Sequence, residues 1–277
     1  MITFLYHNRP VRGVCRRLIH GQVGMRFQSD ETPLGMPASL LIRWGSRALG
    51  FIGARVINTI EAISLARDKQ ASRRLLNELA PKSWFTLEDI PTGLPCVVRP
   101  KYHHGGRHFY VCRTPMEMLE ATRRCGMGWY ASELIEKQAE YRVFILHGKV
   151  VAMSERTPGD PLQIIWNHTH GGHLHNMRRG EWPLEIIRTS LVAMDRLGLD
   201  WGAVDVALDM NDRAVVFEVN TAPNLTNTYT IAQIIRAFKW SASNEIPAKR
   251  RFPIRKWQHV IHPSLRAALQ EALREGV

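Results

Sequence analysis

The chain has 277 residues, 45% of them hydrophobic and 22% charged, which excludes a disordered or fibrous protein and leaves room for a large core and two lobes. Its formal net charge of +12 is unusual and points to an anionic partner, whether nucleic acid, an acidic protein or phosphorylated small molecules. No apolar run reaches the roughly 18 residues of a membrane span, so no membrane partner is expected.

The opening stretch, MITFLYHNRPVRG, begins with a predicted strand over 2–6 and turns polar by His7, which makes it a poor signal peptide. Cys15, Cys96, Cys112 and Cys125 are scattered without a CxxC pair, as in reduced cytoplasmic proteins rather than disulfide frames or zinc sites. A second strand, SLLIRW at 39–44, ends on Arg43 and Trp44, placed to line a cleft. A helix is predicted over about 59–80, strands over 96–99 and 109–112, and a helix over 115–125. A hairpin follows over 142–153, turning at His147-Gly148. Leu184, Ile187, Leu191, Met194 and Leu197 form a buried stripe on a helix over 181–197, which Gly198 stops. Strands over 203–208 and 214–219 and a helix over 229–240 complete an α+β or α/β chain.

Two polar groups interrupt the last of these strands. In AVVFEVNTAP, Glu218 and Asn220 stand two residues apart and therefore share a face. If the preceding turn centres between Asn211 and Asp212, Asp205 faces Glu218 across an antiparallel pair. Opposed Cβ atoms lie about 4.5–5.5 Å apart there, and like charges destabilise the pair. Either one acid sits at a strand end in solvent, or the two carboxylates and the amide hold a hard divalent cation, Mg²⁺ or Mn²⁺.

The wider segment GAVDVALDMNDRAVVFEVNTAPNLT resembles the magnesium-binding segment of ATP-grasp carboxylate–amine ligases, such as D-alanine–D-alanine ligase and the RimK-type glutamate ligases. The resemblance implies that Asp205, Glu218 and Asn220 hold two Mg²⁺ ions, with Pro223 in place and Asn224 where the family usually has glycine. Upstream, VINTIEAISLARDKQASRRLLNELAP is similar to the family's Asp-Lys helix, which makes Lys69 a phosphate-binding lysine; a solvated lysine is the other reading. CVVRPKYHHGGRHFYV resembles the next strand and its lid: Arg99, with Lys101 in reserve, would contact phosphate, and Gly105 and Gly106 would let the backbone approach it.

In the same register Glu133, Leu134 and Ile135 fall on the hinge strand that bonds adenine, and Glu140 on the acid that holds the ribose hydroxyls. Arg142 and Arg156 match arginines facing the transferred phosphoryl group, though either could pair with a nearby acid. Asn167, ahead of Gly171-Gly172, matches a loop near the phosphates or the acceptor. His168, His170, His173 and His175 then decorate that loop; a metal tract or an acid–base histidine are the alternatives.

The resemblance implies the ATP-grasp fold, two α+β lobes clamping the nucleotide. The expected division is a pre-ATP-grasp α/β region at 1–57, a small lobe with the lid at 58–131, and a large lobe with the Mg²⁺ site at 132–240. A basic extension at 241–277 follows, continuing a stretch in which Arg236, Lys239, Arg250, Arg251 and Arg255 alternate with Phe238, Trp240, Phe252 and Trp257. Such interleaving suits single-stranded nucleic acid, and a solvated cationic surface over a few core aromatics is the bland alternative. The activity implied is amide formation from ATP, a carboxylate and an amine, both unidentified, through an acyl phosphate with release of ADP. A ligase acting on a nucleic-acid-linked or ribosomal acceptor, and a nucleotide-binding module without turnover, are the other two readings.

Overall fold

A computed structural model describes residues 1–7, 9–31, 38–48, 55–93, 95–103, 106–166 and 170–244. Three sheets organise them. The first is parallel, in the order β2 (Met25–Ser29), β1 (Ile2–Tyr6), β3 (Leu40–Trp44), β4 (Arg55–Ile57), with α1 (Arg9–Ile19) joining β1 to β2. All five residues of β3 are buried, as expected of a parallel strand covered on both faces.

The second sheet is antiparallel: β5 (Ser83–Trp84), β8 (Trp129–Glu133), β6 (Cys96–Pro100), β7 (Tyr110–Cys112). Helix α4 (Pro115–Cys125) covers it and has the predicted bounds, because Thr114 and Glu117 form a capping box, Pro115 leads the first turn and Gly126 ends it. The third sheet, also antiparallel, runs β11 (His173–Asn176), β10 (Lys149–Thr157), β9 (Lys137–Leu146), β12 (Trp201–Asp209), β13 (Ala214–Asn220). Its β9–β10 hairpin turns at His147 and Gly148, both at positive φ, as a tight hairpin requires.

The single helix expected over 59–80 is two: α2 (Ile60–Arg67) and α3 (Lys69–Leu76). Asp68 breaks the run with extended backbone (φ −75, ψ 100), and its carboxylate accepts from Ala71 N at 3.1 Å. An aspartate that caps well outcompetes the helical periodicity around it. The break makes Lys69 the first residue of α3. Both helices share a core with the five-stranded sheet and α5 (Leu184–Arg196), through Leu65, Leu75, Val204, Val216 and Met194.

A second core joins the parallel sheet to the five-stranded sheet and α6 (Thr228–Ser243). Trp44 belongs here and not to a cleft: its ring lies 5.1 Å from Trp201, and Trp201 lies 4.9 Å from Phe238. Phe238 is likewise fully buried rather than a surface aromatic. Arg43 turns its Nη1 to Ala48 O. Past Trp44, Gly45 adopts φ +74, and a Cβ there would stand 2.9 Å from Ala222 Cβ. Gly45→Ala is therefore expected to lower stability by about 1–2 kcal/mol, read as a shifted urea midpoint at unchanged slope.

Candidate functional site

The β12–β13 hairpin brings Asp205 opposite Glu218 and Ala203 opposite Asn220. It arrives there by two compensating departures from regularity. The turn centres on Asn211, with Asp209 N donating to Arg213 O and Asp212 at φ 60, so Leu208 faces Ala214. Phe217 then forms a bulge between the Val206–Val216 and Asp205–Glu218 pairs, and the added residue restores the facing acids.

Arg73 of α3 holds the bulge. Its Nη1 donates to Val216 O at 3.1 Å and its Nη2 to Phe217 O at 2.9 Å. Four residues earlier on the same helix, Lys69 Nζ reaches Glu218 Oε1 at 2.8 Å and Ala66 O at 3.3 Å. One short helix thus fixes both the backbone and the carboxylate of the β13 acid. Sequence alone did not single out Arg73; no local pattern distinguishes it from a solvated helical arginine.

Asp205 is buried and takes a bidentate guanidinium: Arg142 Nε and Nη2 each lie 2.7 Å from its two oxygens. Arg156 Nη2 lies 3.6 Å and Asn220 Nδ2 3.5 Å from the same carboxylate. Burial pushes the Asp205 carboxyl up, but Arg142 and Arg156 outweigh it and hold the carboxyl at about 2. Burial likewise opposes the Arg142 charge, and Asp205 more than offsets it, so that guanidinium is raised above its ordinary value. Arg156 also pairs with Glu140, whose other oxygen takes Lys137. Burial lowers the Lys137 ammonium against the pull of Glu140. Its Nζ stands 4.6 Å from the Trp166 ring centroid and 5.3 Å from that of Phe217. Lys137, Trp166 and Phe217 were not expected at the site, since their convergence spans distant segments.

These groups open on a cavity of about 810 Å³ between the two antiparallel sheets. Arg99 and Gly106 line one side, Ser132, Glu133, Leu134 and Ile135 another, and Glu140, Arg142, Arg156, Asp205, Glu218 and Asn220 a third. Arg99 lies 5.3 Å over the Phe109 ring, and burial lowers its guanidinium. Glu133 N donates to Lys82 O at 2.9 Å, while its Oε1 accepts from Lys82 N and faces Arg213. Lys101 points to Asp68, 2.7 Å away, and is not among the lining residues. Lys69 is buried and meets the cavity through Glu218.

Gly105, Asn167 and His168 lie outside the described residues, as does the basic stretch from 245 onward. His173 and His175 are on a strand, β11, rather than a loop; His175 Nε2 meets Thr157 Oγ1 at 3.1 Å. Among the described residues, no group of three or more His, Cys, Asp or Glu side chains converges as a metal site. The cavity continues past Asn220 to Asn224, Asn227 and Thr230. There Arg17 of α1 donates to Asn224 Oδ1 at 3.1 Å and to Leu225 O at 3.0 Å. Asn224 is therefore tied to the parallel-sheet region.

No protein-family model matches the chain. It is similar to the D-alanine–D-alanine ligase of Anaeromyxobacter dehalogenans (strain 2CP-C), 22% identical over 243 residues covering 77% of each chain. Among solved structures it resembles the ATP-grasp ligase PsnB complexed with minimal precursor, Mg and ADP, with a TM-score of 0.61 and 12% identity over 87% of this chain and 97% of that one. It also resembles a Chryseobacterium gregarium RiPP-associated ATP-grasp ligase in complex with ADP and a leader and core peptide (TM-score 0.61, 13% identity, 87% and 96% covered). The D-alanine–D-alanine ligase of Bacillus anthracis complexed with ATP gives a TM-score of 0.60 at 14% identity, covering 88% of this chain and 99% of that one.

Proposed function

We propose that this chain, a member of the ATP-grasp superfamily by its fold, is an ATP-dependent carboxylate–amine ligase that uses the cavity between its antiparallel sheets. The observation that carries this reading is the facing of Asp205 and Glu218, with Asn220 on the same face, in the wall of a cleft rich in arginine. Two carboxylates and an amide oxygen form an oxygen-only set, which fits Mg²⁺, with Mn²⁺ as the alternative. The set has room for two ions only if the Lys69 and Arg142 contacts to Glu218 and Asp205 yield. Bound Mg²⁺ would supply charge compensation for the triphosphate oxygens.

The chain's own residues divide the remaining work. Arg99, Arg142 and Arg156 line the cavity and can face phosphate oxygens, where preorganised charge lowers the barrier to phosphoryl transfer, and Lys69 would join them if Glu218 turned from it to a bound cation. The segment Ser132–Ile135 lines the cavity where a base would lie, and Glu140, on another side of the cavity, would take the ribose hydroxyls in exchange for its pairs with Lys137 and Arg156. Gly106, with the lid expected around it, would exclude water from a hydrolysable intermediate. In the reaction, a substrate carboxylate oxygen bonds to the γ-phosphorus as the bond to ADP breaks. An amine nitrogen then bonds to the acyl carbon, phosphate leaves, and the nitrogen loses a proton.

The presence of Asp205, Glu218 and Asn220 together weighs against a nucleotide-binding module without turnover, since a copy that no longer turns over tolerates the loss of such ligands. The polar recess at Asn224, Asn227 and Thr230 is our candidate for the acceptor end, tuned by the Arg17–Asn224 contact. Cytoplasmic location follows from the same reading, with Cys15, Cys96, Cys112 and Cys125 all free. We propose 1–57, 58–131, 132–240 and 241–277 as the functional units, with α2 and α3 of the second unit packing onto the core of the third and β8 crossing the boundary between them.

The test is a screen of amino acids, short peptides and acidic acceptors for ATP-to-ADP conversion with Mg²⁺. Stimulation by one carboxylate–amine pair is the expected result; ATP neither bound nor turned over under any combination defeats the proposal. Arg73 offers a finer check. Arg73→Met should raise the half-saturating Mg²⁺ concentration by about tenfold while circular dichroism stays unchanged, because a group outside the ligand set orients one inside it.

A further inference from the structure

A second concavity, of about 390 Å³, lies between the β9–β10 hairpin and α6, away from the nucleotide cleft. Leu146, Val150, Val151 and Ala237 supply its apolar surface, and Lys149, Arg179, Arg236 and Trp240 its polar and aromatic surface. No aspartate or glutamate lines it. Lys149, Arg179 and Arg236 are exposed, and among the described residues none of them has an ion-pair partner. Some surface arginines elsewhere are matched, as in Arg196 with Glu78 and Arg124 with Glu120. Trp240 is 48% exposed, and Lys149 Nζ stands 4.9 Å from its ring centroid.

Three exposed cations and a half-exposed indole thus line one groove, with Lys149 against the ring, in a chain that is already strongly basic and self-repelling. A polyanion relieves the repulsion, and a planar group covers the ring. An acidic peptide answers the first need only. Single-stranded nucleic acid answers both, with phosphates for the cations and bases for the indole. The sequence beyond α6 has the same character, since Arg250, Arg251, Phe252, Arg255 and Trp257 follow within a short stretch of Trp240.

We propose that this hairpin–α6 groove binds single-stranded nucleic acid, stacking a base on Trp240 and setting adjacent phosphates on Lys149, Arg179 and Arg236. It is distinct from the ligase cleft and does not depend on the chemistry proposed for it. RNA and DNA present the same groups to such a groove, so both are probed.

The experiment is fluorescence anisotropy of the full chain with labelled oligo-dT and oligo-rU of about 15 nucleotides, in the size range such sites occupy. Both, or one of them, should bind at low salt. The double variant Lys149→Glu/Arg236→Glu should bind at least tenfold more weakly and lower the slope of log affinity against log salt by about 1.4, roughly 0.7 for each lost phosphate contact. Trp240→Ala should weaken binding several-fold, and Trp240→Phe should restore most of it. Thermal stabilisation by Mg·ATP should be the same in all variants, because none of these residues lines the nucleotide cleft. The proposal is overturned if neither oligonucleotide binds at low salt, or if binding is undiminished in the groove variants and so belongs to the basic tail. It is equally overturned if polyglutamate competes charge for charge while Trp240→Ala has no effect, which would mark an acidic-peptide surface.

Discussion

Glu218→Gln is expected to abolish Mg²⁺-dependent release of ADP, by at least about a hundredfold, in a protein that still folds. Glutamine keeps the length and shape of the side chain on β13 but not its charge, so the change isolates the electrostatic role. The structural consequences are small. Lys69, whose side chain is only 10% exposed, exchanges its ion pair at 2.8 Å for a hydrogen bond to the glutamine amide oxygen and keeps its contact to Ala66 O. A loss of about 1–2 kcal/mol follows, since the buried lysine keeps an acceptor but loses its counter-charge. Chemistry should suffer far more, because a cation shared between Asp205 and a neutral amide is held by one carboxylate instead of two. A coupled ADP assay across Mg²⁺ concentrations, with circular dichroism as the control, reads both effects. Full turnover in the variant would remove Glu218 from the site; a collapsed spectrum would make its role structural.

The acids of the site were legible because strand periodicity is short and strict. Glu218 and Asn220 two apart, and Asp205 across a turn, needed only the pleat to be placed on one face. The bulge at Phe217 was not legible, nor was the shifted turn centre, and the correct pairing emerged because the two offsets cancel. A strand that had lacked the bulge would have turned Asp205 and Glu218 out of register with each other.

Longer-range features left weaker traces. Asp68 was visible as part of an Asp-Lys pair, yet its cap divides a helix that apolar spacing made continuous. Trp44, ending an apolar strand, looked like a cleft residue; the aromatic cluster that buries it draws on Trp201 and Phe238, more than 150 residues away. Lys137 and Arg73 carry no local signature at all. Their importance comes from what converges on them: Glu140, Trp166 and Phe217 on the one, the bulged carbonyls on the other.

Arg142→Met should cost about 3 kcal/mol at pH 7, the lower end of what is lost when one partner of a buried ion pair is removed. Both Asp205 oxygens depend on this guanidinium, and the carboxylate is buried. Arg156 at 3.6 Å and Asn220 at 3.5 Å remain, which keeps the loss from being larger. The pH dependence distinguishes this mechanism from simple loss of packing. In the unaltered protein the Asp205 carboxyl is held at about 2 against an ordinary 3.8. A depressed folded-state value contributes stability that is complete above about pH 4 and disappears as pH falls through about 2, worth roughly 2 kcal/mol. Without Arg142, burial dominates and the carboxyl rises, so in the variant it takes up a proton well before the unaltered protein does. The deficit between the two proteins should accordingly be widest at pH 7 and narrow steadily towards pH 4. Urea denaturation at both values measures it; a deficit that is constant or grows on acidification would mean that Arg142 acts through its packing and not its charge.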